Sequence, residues 1–100
     1  MVVREFIEIN ASPDEVYGFL ANLNLNGLKV SRKFASIRTI VISSGLSLFS
    51  WGENIEISVQ SSQSGSLVIL KGQGKIQFNI TSNPKALSQR IKDVLRGRFG

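Results

Sequence analysis

Chemistry in this chain would have to begin with Phe49, Trp51 and Glu53. Phe49, Trp51, Glu53, Ile55, Ile57 and Val59 fall on one side of an alternating segment, with Ser50, Gly52, Asn54, Glu56 and Ser58 on the other. A period of two with the large side chains together predicts a half-buried antiparallel strand. Glu53 would then sit among apolar neighbours, where desolvation favours a neutral carboxyl that can give or take a proton. The alternative for Glu53 is a place near a sheet edge, in water or paired with Arg38. Glu5 is ambiguous in the same way, because it shares a face with Val3, Ile7 and Ile9. Spacing identifies no orienting partner for an acid–base pair, so no catalytic residue is assigned and an enzyme is the least supported class.

What is missing narrows the chemistry further. The chain has no histidine and no cysteine. Ser-His-Asp and Cys-His catalysis within one chain are excluded, and so is a thiolate metal site. Only carboxylates remain as anionic metal ligands, so neither metal nor cofactor is expected. Gly72-Gln-Gly74-Lys75 has the look of a phosphate loop but lacks the full spacing and the Lys-Ser/Thr pair, and it does not open a helix. A bend in a strand accounts for it better.

The charge is +5 and the pI about 10.1. Four of the seven acids, Glu5, Glu8, Asp14 and Glu15, lie at the N-terminal end, while basic residues gather at Lys29, Arg32, Lys33 and Arg38 and again from Lys71 to Arg98. This balance permits attraction to nucleic acid, anionic lipid or an acidic protein. A basic surface of Lys29, Arg32, Lys33, Lys85, Lys92 and Arg96 is the candidate. Nucleic-acid recognition would require aromatics interleaved with these cations on an exposed face, whereas Phe49, Trp51 and Phe78 are expected in the core.

The elements that must position these residues follow from local signals. Residues 2–9, VVREFIEI, alternate as a strand. Within NASPDEVYGFLANL, residues 10–23, Ser12 is an N-cap, Pro13 suits the first helical position, and Glu15 stands at capping-box spacing. Val16, Phe19, Leu20 and Leu23 make the apolar face of a helix over about residues 13–24, with Gly27 as its stop. Residues 28–36 read as a basic loop or the start of a strand, and 37–43 as a strand. Ser43-Ser44-Gly45 is a turn signal and SSQSGS, residues 61–66, a polar turn. Val68 to Ile80 keep one parity through two glycines, which predicts one bent or bulged strand, with two strands as the alternative. Asn83-Pro84 opens a second helix whose stripe is Leu87, Ile91, Val94 and Leu95, with Lys85, Lys92 and Arg96 opposite and Gly97 as cap.

The fold class is therefore α+β: a two-layer single domain over residues 1–100, order β-α-β-β-β(β)-α, with an antiparallel sheet packed by a short N-terminal and an amphipathic C-terminal helix. No apolar run approaches the roughly 18 to 20 residues of a membrane span. The N-terminus does not read as a signal peptide, so the cytoplasm is the expected setting.

A first strand ending in Ile-Asn-Ala-Ser-Pro-Asp-Glu-Val-Tyr-Gly-Phe-Leu, residues 9–20, with curved strands and a C-terminal amphipathic helix after it, resembles the START-like (SRPBCC) helix-grip superfamily of polyketide cyclase/dehydrase-type and lipid-transfer proteins. The chain would be a shortened member. The resemblance implies an apolar ligand between sheet and C-terminal helix, with Leu87, Ile91 and Leu95 on the helix wall and Phe49, Trp51, Glu53 and Phe78 on the sheet. The alternatives are a basic module for nucleic acid or an acidic partner, or a homodimeric assembly domain joined through exposed edge strands.

Overall fold

The computed structural model describes residues 2–23, 28–44, 53–74 and 84–100. The chain runs β1 (Val2–Ile9), α1 (Pro13–Ala21), β2 (Leu28–Phe34), a 3-10 turn (Ala35–Ile37), β3 (Thr39–Ser44), β4 (Glu53–Ser62), β5 (Gly65–Gly74) and α2 (Pro84–Phe99). The strands form one antiparallel curved sheet in the order β1-β5-β4-β3-β2. The expected two-layer α+β architecture is the one observed.

Alternation decides which face is covered. Ile7 and Ile9, Ile40 and Ile42, Ile55, Ile57 and Val59, and Val68 and Leu70 all point to the helix side and are buried. Val16 and Leu20 of α1 and Ile91 and Leu95 of α2 complete a single core. Each such side chain contributes about 1.5–3 kcal/mol when fully buried.

Helix α1 starts as its sequence dictates. Ser12 is extended, and its Oγ accepts from the Glu15 amide at 3.2 Å. The helix ends at Ala21, short of residue 24, because Asn22 turns its Nδ2 back onto the Gly18 carbonyl at 2.9 Å. A side-chain amide competing for backbone in this way stops a helix without glycine; Gly27 lies outside the described residues.

The ambiguous segment after α1 is an edge strand. Its register with β3 slips between Val30 and Arg32, leaving Ser31 as a bulge whose Oγ donates to the Val41 carbonyl at 3.1 Å. The bulge expected near Gly72 is absent within β5, which pairs with β4 without a slip from Gly65 to Gly74. Val68 to Gly74 lie in this one strand, and residues 75–80 fall outside the described residues. The six-residue polar turn shrinks to Gln63-Ser64, since Ser61 and Ser62 pair with Ser66 and Gly65. Strand β3 begins two residues later than its β-branched run predicts. Arg38 adopts the left-handed conformation (φ 45°) to close the 3-10 turn first. Helix α2 continues through Gly97, and the positive φ falls on Gly100, whose N–H donates to the Arg96 carbonyl at 2.9 Å.

Candidate functional site

Helix α2 lies over β1, β5 and β4. Ser88, Ile91, Lys92 and Leu95 are spaced i, i+3, i+4 and i+7, which places them along one face. Ser88, Ile91 and Leu95 are fully buried. The centre of this stripe lies on the Ser88 side of Ile91, so Lys92 flanks it and Val94 moves to a half-buried margin. Lys92 is therefore withdrawn from the basic surface expected of it. Its side chain is 13% exposed and its Nζ lies 3.3 Å from Oε1 of Glu5, itself 19% exposed.

Glu5 reaches this position by strand parity, two residues from Ile7 on the helix side of β1. In register it stands opposite Leu70. The pair is incomplete: among the described residues Glu5 Oε2 is buried with no hydrogen-bond partner, and so is Ser88 Oγ. A buried polar atom left unsatisfied costs about 1–3 kcal/mol, more when it carries charge. Three polar groups thus interrupt an apolar helix–sheet layer: a carboxylate oxygen able to accept, a hydroxyl able to give or accept, and an ammonium. They can hold and orient a polar group on an otherwise apolar molecule. The chain has no histidine that could activate Ser88.

The remaining candidates are distributed as follows. Ile91 and Leu95 are on the buried face of α2; Leu87 and Lys85 belong to the same helix. Glu53 opens β4 opposite Gly74. Phe49, Trp51 and Phe78 lie outside the described residues. Lys29, Arg32 and Lys33 are exposed along the edge strand β2, and Arg96 is exposed on α2. Arg38 bonds Asp14 at 2.8 Å (Nε to Oδ1), tying the β2–β3 corner to the start of α1. Residue types had flagged Glu5 only as ambiguous and had missed Ser88; the i, i+4 relation of Ser88 to Lys92 was the available signal. Among the described residues no group of three or more potential metal ligands is found, and no helix is long and apolar enough to cross a membrane.

A five-stranded antiparallel sheet carrying a short helix after its first strand and gripping a C-terminal helix has the START-like helix-grip fold. Comparison with solved structures agrees. The solution structure of Arabidopsis thaliana At1g70830, a member of the major latex protein family, is similar at 12% identity with a TM-score of 0.66, covering 99% of this chain and 91% of that one. The crystal structure of Ara h 8.0201 is similar at 10% identity with a TM-score of 0.58, covering 97% and 91%. No family model and no curated protein matches the chain. The likeness is one of fold.

Proposed function

We propose that this domain binds a small apolar molecule bearing a hydrogen-bond donor, held between the sheet and α2. The observation that carries this reading is the pair of unsatisfied buried oxygens, Glu5 Oε2 and Ser88 Oγ, beside the Lys92–Glu5 contact. Native structures rarely leave such groups alone, and a bound molecule is one of the few ways to complete them. The fold supports the reading, because the helix-grip resemblance implies ligand binding in the same layer. Ile91 and Leu95 supply apolar contact; Leu87 on the helix and Phe49, Trp51, Glu53 and Phe78 on the sheet side are the remaining contacts this proposal assigns. Affinity comes from apolar burial, and orientation from Glu5 and Ser88.

A matched pair of probes, 2-naphthol and naphthalene, tests this by amide-resolved NMR titration. Naphthol is expected to shift the amides of β1 and residues 88–95, and Glu5→Gln to weaken its binding about tenfold, the loss of one charge-assisted hydrogen bond. Absence of shifts with both probes would overturn ligand binding here. Equal binding of naphthalene and naphthol would overturn the polar anchor.

A further inference from the structure

The sheet face turned away from both helices carries a second, independent pattern. The register aligns Arg4, Lys71, Glu56, Val41 and Arg32 in one row across the five strands. The adjacent row is Phe6, Ile69, Ser58, Thr39 and Phe34. Arg-x-Phe therefore occurs on both outermost strands, as Arg4-Glu5-Phe6 and Arg32-Lys33-Phe34. Phe6 is 61% exposed and Phe34 43% exposed. Among the described residues, neither Arg4, Arg32 nor Lys71 has a side-chain ion-pair or hydrogen-bond partner. Between Arg32 and Lys71 lies an open depression of about 370 Å³, lined also by Phe34, Val41, Asn54 and Glu56.

We propose that this face binds single-stranded nucleic acid. Exposed phenyl rings offer stacking surfaces that any base can use, and flanking unpaired cations meet the phosphates. At about 4.8 Å per strand step, the two rings stand roughly 19 Å apart, a span for several nucleotides rather than one. This is the interleaving of exposed aromatics with cations that nucleic-acid recognition requires. Glu56 opposes a phosphate near Lys71, so the backbone runs past Arg4 and Lys71 on one side and Arg32 on the other. Glu8, also on this face, is engaged by the Ser64 hydroxyl at 2.8 Å. An acidic protein would use the cations but leave both phenyl rings without a role.

The test is fluorescence anisotropy with a labelled twelve-residue oligothymidylate at low salt. Binding is expected, with Phe6→Ala and Phe34→Ala each weakening it about fivefold or more. Arg4→Gln, Arg32→Gln and Lys71→Gln are each expected to flatten the salt dependence by about 0.7 in log–log slope. Glu56→Gln is expected to tighten binding by removing the one carboxylate that lines the depression. Phe6, Phe34, Arg4, Arg32 and Lys71 are all exposed enough for folded variants, which circular dichroism verifies. No binding at low salt overturns the proposal. So does equal binding of an abasic oligomer, which removes stacking, or of polyglutamate, which assigns the face to an acidic protein.

Discussion

Gly65 lies against Ala11 so closely that a Cβ on Gly65 would stand 2.7 Å from the Ala11 carbonyl oxygen and 2.8 Å from its amide nitrogen. Its φ of 134° is one that side-chain-bearing residues rarely adopt. The neighbouring Ser66, fully buried, donates its hydroxyl to the same Ala11 carbonyl at 2.7 Å. The β4–β5 turn is thereby fastened to the junction between β1 and α1. Gly65→Ala is expected to destabilise the domain by about 2–3 kcal/mol or more, since backbone strain and backbone collision act together. Gly18, with nothing within 4 Å of an added Cβ, is the control; Gly18→Ala is expected to stabilise by about 0.5–1 kcal/mol. Urea denaturation of the two variants checks both signs, and a stable Gly65→Ala would remove the proposed fastening.

Lys92→Met is expected to destabilise the domain because it leaves Glu5 inside the helix–sheet layer without its cation. Losing one partner of a fully buried pair costs roughly 3–5 kcal/mol. Here both side chains retain some exposure, so the loss falls below that range. The double variant Glu5→Leu with Lys92→Met is expected to recover most of it. A double-mutant cycle in urea measures the coupling, and additive losses would show that the two residues act separately.

At the β2–β3 corner, conformation and charge oppose each other at Arg38. Its left-handed backbone costs an ordinary residue roughly 1–2 kcal/mol, which glycine does not incur. Its exposed ion pair with Asp14 contributes about 0–1 kcal/mol. Arg38→Gly is therefore expected to be neutral to mildly stabilising at low salt and more stabilising at 1 M salt, where the pair is screened. Thermal melts at two salt concentrations decide this; destabilisation at both would mean that the corner depends on the arginine itself.

The edge strand β2 defends itself against further pairing. Its bulge at Ser31 breaks the ladder, and Lys29, Arg32 and Lys33 line it with like charge. Replacing all three by threonine is expected to produce concentration-dependent association, measured by light scattering. A variant that stays monomeric at every concentration would show that the charges are not the barrier.

Legibility followed distance along the chain. The start of α1 was readable from Ser12, Pro13 and Glu15 because capping is settled among neighbours. The burial of Ile55, Ile57 and Val59 was readable because a strand alternates. The clasp of Gly65 and Ser66 on Ala11 was not, since a serine, a glycine and an alanine carry no mark of a partner more than fifty residues away. Lys92 was misplaced for a different reason. A helical stripe has a centre, and only the buried Ser88 shows that this one is shifted toward the lysine. The alignment of the exposed Phe6 with Phe34 was not readable either, since it required the register of four strand pairs.

The register of β1 also sets an order of events in folding. Val2 pairs with Gln73 and Ile9 with Ser66, while β4 and β5 are joined by a two-residue turn and can close locally. Loop closure favours the hairpin first and the distant strand later. On the ribosome the contrast is sharper, because Val2–Ile9 emerges before its partner strand, which lies more than fifty residues further on. During that interval an apolar strand waits with both ladders open. Arg4, Glu5 and Glu8, spaced among its valines and isoleucines, act as gatekeepers that keep nascent copies from pairing with one another.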